Sequence, residues 1–236
     1  MQKEKLSLII PVYNEEESLR NLIKKVLEVK LPLEREIIIV DDCSKDDSYK
    51  IALELSEKNK RIKLIKHGKN IGKGGAIRTG LKNVGGTIIG IQDADLEYNP
   101  KEYSKLIKPI LENKTKIVYG SRFLGKKGSQ GSFIFYMGNR ALSWTTGLLY
   151  GQKITDMETC YKFYRRELLK KIKLKSDGFD IEPEITAKFL KCGYKILEVP
   201  ITYLPRTKKD GKKIKVKDGF VALWVLLKQK FERINY

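Results

Sequence analysis

The first hundred residues alternate between two textures of apolar positions. "KLSLIIPV" is an almost unbroken apolar run, and beyond Pro11 the apolar residues return at Leu19, Leu22, Ile23, Val26 and Leu27, spaced three and four apart. The run predicts a strand and the spacing a helix. "REIIIVDDCSKDDSYKIALELSEK" repeats the plan, with a strand over Ile37 to Val40, a loop of acids around Ser44, and a helix carrying Ile51, Leu53 and Leu55. A third unit follows in "RIKLIKHGKNIGKGGAIRTGLKNV", and a fourth opens with "GTIIGIQDAD". Continuous apolar strands alternating with helices predict an α/β domain whose central sheet is mostly parallel and covered by helices on both faces. Ligands of such sheets lie beyond the carboxyl ends of the strands, and Tyr13, Asp41, Asp42, Asp93 and Asp95 all fall there.

After "KIVYGSRFLGKKGSQGS" the texture changes. "FIFYMGNRALSWTTGLLYG" and "FVALWVLLKQKFERI" predict two apolar, aromatic helices, over 131–150 and 218–234. Phe133, Phe135, Tyr136, Trp144 and Leu148 on the first, and Phe220, Trp224, Leu227 and Phe231 on the second, stand beside a lysine-rich segment. Amphipathic faces with aromatics and flanking cations suit a membrane interface; ordinary core or a dimer contact is the alternative. Neither helix reaches the ~20 apolar residues that span a bilayer, and the N-terminus lacks the layout of a signal peptide. The expectation is a soluble or peripheral chain.

Composition narrows this further. The 236 residues, 41% of them apolar, suffice for one large domain, which we delimit over 1–210, followed by a basic segment and amphipathic helix over 211–236. Forty-eight basic against 29 acidic residues give a formal charge of +19, which favours anionic partners. No helix-turn-helix, RNP-type or zinc-finger pattern accompanies that charge, so nucleic acid is not the expected partner. Cys43, Cys160 and Cys192 are odd in number and far apart, which argues against a disulfide framework or a metal cluster and for a reducing compartment.

Candidate chemistry begins in "IIGIQDADLEYNP", where an apolar strand runs into Asp93, Asp95 and Glu97. Carboxylates at a strand end offer hard oxygen ligands to Mg²⁺ or Mn²⁺ and, through it, to phosphate. The same letters also describe a turn that ends a strand and starts the helix "PKEYSKLIKPI". Gly68, Gly72, Gly74 and Gly75 surround Lys73 without forming a Walker-type phosphate loop; they predict a tight turn before a helix. His67, the single histidine, reads as a loop residue without a chemical role.

"IIPVYNEEESL", "IIIVDDCSKDDS", "KNIGKGGAIRTGL" and "QDADLEYNP", in that order, resemble the nucleotide-sugar half of family 2 glycosyltransferases with the GT-A fold. "IVYGSRF", "NRALSWTTGLLYGQKITDMETCYKFYRRELL" and "GFDIEPEITAKFLKCGYKILEVPITYLPRTKKDGKKIKVKDG" resemble the polyprenyl-phosphate (dolichol-phosphate) mannose and glucose synthase branch. The resemblance covers nearly the whole chain. It implies that Pro11, Tyr13 and Glu15 line the base and ribose pocket, that Asp41 or Asp42 takes the base edge, that Lys73 lies beside the nucleotide-sugar donor, and that Asp93 and Asp95 carry metal and diphosphate. Glu97 stands where mannose-synthase relatives commonly have Gln, and joins the metal shell.

In that branch the acceptor is a lipid phosphate, largely dianionic because its second pKa is near ~6. Such a nucleophile needs cations to approach a second phosphate group, not a base. Arg122, Arg140 and Arg206 match the family's phosphate-binding positions, with Lys209, Lys212 and Lys213 as additions, and an arginine fork grips phosphate bidentately. Asp156 matches an acceptor-side aspartate that orients groups. The resemblance thus implies an inverting, metal-dependent transfer of mannose or glucose from GDP-mannose or UDP-glucose to a polyprenyl phosphate, by an enzyme held peripherally on the anionic inner face of the cell membrane. A family 2 enzyme acting on a sugar hydroxyl would instead need a carboxylate base at the acceptor, and a plain basic binding module would be indifferent to changing Asp95.

Overall fold

Seven strands and seven helices follow the alternation read from the apolar pattern, in a computed structural model that describes residues 3–125, 133–206 and 216–232. The four predicted units are β1 (Lys5–Val12), α1 (Glu16–Glu28), β2 (Glu34–Asp41), α2 (Ser48–Lys58), β3 (Ile62–Lys66), α3 (Lys73–Leu81) and β4 (Ile88–Ile91). A 3-10 turn at Pro100–Glu102 then leads into α4 (Tyr103–Leu111), followed by β5 (Ile117–Ser121), α5 (Phe133–Tyr150), β6 (Lys162–Arg165), α6 (Ile181–Lys191), β7 (Leu197–Pro200) and α7 (Val216–Phe231).

The sheet order is β3-β2-β1-β4-β6-β5-β7. Six strands run one way, and β6 is antiparallel to both β4 and β5. Because side chains alternate across a strand, β1 serves two cores. Leu6, Leu8 and Ile10 pack with Leu19, Leu22, Ile23 and Val26 of α1 and with Leu106, Ile107 and Ile110 of α4. Ile9 packs into the opposite layer with Ile77 of α3, Leu142 of α5, Ile181 and Ile185 of α6 and Leu226 of α7. Both faces are therefore covered, as a parallel sheet requires.

The chain passes from β1 to β2 and β3 on one side, then crosses to β4 on the other. This reversal opens a crevice beyond the carboxyl ends of β1 and β4. The expected boundary at 210/211 and Lys209, Lys212 and Lys213 lie outside the described residues.

Candidate active site

Three strand ends meet at the crevice, and each is followed by a residue in the left-handed region: Asn14 (φ 51°) after β1, Cys43 (φ 62°) after β2 and Leu96 (φ 63°) after β4. Such conformations are disfavoured for non-glycine residues and cluster at functional sites. Beyond β1, the Glu15 amide donates to Ser48 Oγ (2.7 Å), and the Glu15 carboxylate accepts from Ser18 Oγ (2.7 Å) and pairs with Arg206 (2.9 Å). Pro11 and Tyr13 are partly buried beside it.

Asp41 and Asp42 were equivalent in the sequence and are not in the fold. Asp42 Oδ1 accepts from His67 Nδ1 (2.7 Å) and the Ile71 amide (2.9 Å), and Oδ2 from the Gly72 amide (2.7 Å). An ionised carboxylate only accepts, so His67 Nδ1 is the donor to Asp42, and His67 Nε2 lies 2.9 Å from the Thr79 hydroxyl. His67 lies in the loop after β3, as its sequence reading has it, but is buried there, between Asp42 just beyond β2 and Thr79 of α3. Asp41, fully buried, is different: Oδ2 accepts from the Ser44 amide at 3.3 Å, and Oδ1 is buried without a partner.

The glycine-rich turn has a packing explanation. Gly72 adopts φ 108°, and a Cβ there or at Gly74 would collide with the backbone of Asp177 and Ser176 respectively. The Gly74 and Gly75 amides donate to the carbonyls of Gly178 (3.2 Å) and Asp177 (3.0 Å). Close approach of the segment before α6, not a phosphate cradle, sets these glycines. It also brings Lys73 into the crevice, where Nζ lies 2.8 Å from Asp93 and 3.1 Å from Glu182. Burial opposes the Lys73 charge, but Asp93 and then Glu182 outweigh it and hold the pKa well above its ordinary value.

The aspartates after β4 are fixed by residues the sequence did not single out. Gln92 is buried, its Oε1 accepts from Tyr103 (2.5 Å) and Tyr161 (2.8 Å), and its Nε2 donates to the Asp93 carbonyl (2.8 Å). The Asp93 amide donates to Cys160 Sγ at 3.3 Å. Burial, then Asp93 and Glu97, push Asp95 up to about 8. Acids crowded together with too little positive charge fit a hard divalent cation. Glu97, the third expected ligand, has both carboxylate oxygens engaged: Oε2 accepts from the Tyr203 hydroxyl (2.7 Å) and Oε1 from the Arg206 amide (2.6 Å). Among the described residues no three His, Cys, Asp or Glu side chains are arranged around a common metal position.

Arg206 was expected across the cleft from these acids and instead touches them, its Nε donating to the Asp95 carbonyl at 2.7 Å and its Nη1 reaching Glu15. Arg122 forms a two-point pair with Asp156, Nε to Oδ2 and Nη2 to Oδ1, both at 2.7 Å. Asp156 is fully buried and also accepts from the Arg122 amide (2.9 Å) and Asn139 Nδ2 (2.8 Å), so it orients Arg122 rather than waiting for a proton. Arg140 is exposed on α5. The three expected arginines thus differ in setting: Arg122 is held by Asp156, Arg206 by Glu15 and the Asp95 carbonyl, and Arg140 faces outward.

A doubly wound sheet with one antiparallel strand, whose switch point carries paired aspartates, is the GT-A architecture of sugar-transferring enzymes. The fold matches glucosyl-3-phosphoglycerate synthase from Mycobacterium tuberculosis, solved with Mn²⁺, uridine diphosphate and glucosyl-3-phosphoglycerate, at a TM-score of 0.74 and 17% identity, over 97% of this chain and 80% of that one. The chain belongs to glycosyl transferase family 2, whose profile matches residues 7–173, and it is a glycosyltransferase. It is 34% identical over 88% of its length to a dolichol-phosphate mannosyltransferase from Pyrococcus furiosus, of which it spans 59%. It is 31% identical over 99% of its length to a UDP-N-acetylglucosamine–dolichyl-phosphate N-acetylglucosaminyltransferase from Methanococcus voltae, of which it spans 99%.

Proposed function

We propose that this enzyme transfers a hexose from a nucleotide diphosphate sugar to a polyprenyl phosphate, with inversion, at an anionic membrane surface. The observation that carries the acceptor assignment is the outer face of α5 and α7. Phe133, Trp144, Leu148, Phe220, Trp224 and Phe231 are each at least 65% exposed there. Tyr150 of α5 donates to the Leu226 carbonyl of α7 (2.7 Å), which supports treating the two helices as one surface. No described helix is long and apolar enough to cross a membrane, so contact with lipid would be interfacial. The names of the two relatives, both sugar transferases to dolichyl phosphate, support the same acceptor class.

In this reading Pro11, Tyr13, Glu15 and Asp41 bind the nucleoside, and Lys73 binds the diphosphate. Asp93 and Asp95 would hold Mg²⁺ or Mn²⁺, which when bound offsets charge on the departing diphosphate. Arg206 and Arg122 steady the phosphates, and Arg140 meets the acceptor headgroup. A phosphate dianion attacks the anomeric carbon directly, so no residue has to take a proton from it. Because the two relatives name different sugars, the donor must be found by experiment. Transfer of label from GDP-mannose, UDP-glucose or UDP-N-acetylglucosamine into organic-extractable product, with short polyprenyl phosphate and Mn²⁺, is expected for wild type and lost in Asp95→Ala and Arg206→Ala. Donor hydrolysis or transfer to a sugar hydroxyl without lipid-soluble product would refute the acceptor assignment.

A further inference from the structure

The segment between α5 and β6 holds a carboxyl group that the reaction described above does not use. Its backbone is pinned from several directions. The Thr155 and Asp156 amides donate to Glu198 (2.8 and 3.0 Å), Met157 to Ser143 Oγ (3.1 Å), Glu158 to Asn139 Oδ1 (3.3 Å) and Cys160 to the Tyr98 hydroxyl (3.3 Å). Lys162, wholly buried, donates to the carbonyls on either side of Glu158, those of Met157 (3.0 Å) and Thr159 (2.5 Å). Glu158 is thus presented by a turn with little freedom to move.

That turn joins the two halves of the site. Lys162 pairs with Glu182, Glu182 with Lys73, and Lys73 with Asp93. Cys160, which receives the Asp93 amide, is two residues from Glu158, a span of at most about 7 Å. On the other side, Asn139 holds both the Glu158 amide and Asp156, the partner of Arg122. Yet Glu158 Oε1 is buried with no hydrogen-bond partner. An acceptor left so costs about 1–3 kcal/mol, a penalty that native structures rarely carry without a ligand or water to meet it.

We infer that Glu158 binds the transferred hexose, its carboxylate accepting a hydrogen bond from a sugar hydroxyl. A carboxylate here would be repelled by the donor diphosphate and by an acceptor phosphate alike. The hexose is the neutral, hydroxyl-rich part of the reacting assembly, and hydroxyls donate. Glu158 would therefore contribute to which sugar is taken. This inference rests on the proposed use of a nucleotide sugar.

The test is calorimetric titration of wild type, Glu158→Ala and the isosteric Glu158→Gln with GDP, GDP-mannose, UDP and UDP-glucose in the presence of Mn²⁺. In wild type the nucleotide sugar should bind more tightly than its nucleoside diphosphate. Glu158→Ala should weaken the nucleotide sugar about 10-fold or more, the size of a hydrogen bond to a charged group, and leave the nucleoside diphosphate unchanged. Glu158→Gln, which keeps the volume and an acceptor oxygen, should lose less. Equal loss for sugar-bearing and sugar-free ligands, or no loss for either, overturns the inference while leaving the nucleotide-sugar reading intact. Failure of wild type to bind any of the four overturns both.

Discussion

Lys162 and Glu182 form an ion pair at 2.5 Å in which neither side chain is more than 3% exposed. The pair extends into a buried row of alternating charges, Lys162, Glu182, Lys73 and Asp93, that crosses from β6 through α6 and α3 to the crevice. Lys162 and Lys73 hold the Glu182 carboxyl below its ordinary pKa although burial pushes the other way.

Removing one member of such a pair leaves a buried charge short of its partner. Lys162→Met should therefore lower unfolding free energy by about 3–5 kcal/mol, measured by denaturant titration. Adding Glu182→Leu should recover part of that loss, because the carboxylate left with Lys73 as its remaining cation goes too, while Lys73 keeps Asp93. A double variant whose cost equals the sum of the single ones would show that the two residues do not act as a pair.

Asp41 and Asp42 should separate cleanly. Asp42 is consumed by His67, Ile71 and Gly72, whereas Asp41 keeps a buried oxygen without a partner, suited to an N–H on a base edge. Asp41→Asn should weaken UDP or GDP binding about 10-fold or more with a small change in melting temperature. Asp42→Asn should do the reverse, losing about 1–3 kcal/mol of stability as the α3 turn and His67 lose a charged acceptor. Calorimetry on the folded variants and thermal unfolding read the two effects independently.

Glu158 gives a pH dependence of defined sign. Burial is the main cause that raises its pKa from 4.5 to about 7. Between those values the folded chain binds a proton that the unfolded chain has released, so stability falls as pH rises through this window. Above it the charged group carries the full penalty, up to about 3 kcal/mol. Glu158→Gln stays neutral throughout, so it should be more stable than wild type at pH 8, with the difference closing as pH falls toward 4.5. Comparing the two proteins cancels the titrations of groups that do not interact with Glu158. A difference that does not vary with pH would rule out this origin.

How much of this was readable beforehand depends on what each segment is made of. The strands β1, β2 and β4 are buried on both faces, so their sequences are continuous apolar runs bounded by loops of acids, and Asp93 and Asp95 stand out at their ends. β6 is different. It begins with Lys162 inside "TCYKFYR", and a lysine at a fully buried position has the letters of a surface residue until its partner is known. Glu182, on a helix with other charges, gives no local sign that it faces inward. Glu97 was read as a ligand from its spacing and the family resemblance; its hydrogen-bond partners, Tyr203 and Arg206, lie more than a hundred residues away and could not be read locally. The burial of His67 was hidden for the same reason, since Asp42 and Thr79 become its partners only when β2, β3 and α3 are assembled.

The two tryptophans of the chain make the membrane proposal measurable without a label. Trp144 on α5 and Trp224 on α7 are 70% and 65% exposed, so both indoles meet water and the isolated protein is expected to emit at long wavelength. Insertion of this face into the headgroup region should shift emission to the blue on adding vesicles rich in phosphatidylglycerol. The shift should be smaller with neutral phosphatidylcholine, because Lys228 and Lys230 at the end of α7 add attraction to an anionic surface. Salt should weaken the response by screening that attraction. Trp144→Ser and Trp224→Ser should each remove part of the shift and weaken vesicle co-sedimentation. If emission instead moves to the blue with protein concentration and ignores lipid, the aromatic face is the contact between two copies of the chain, and the lipid phosphate must reach the crevice by another route.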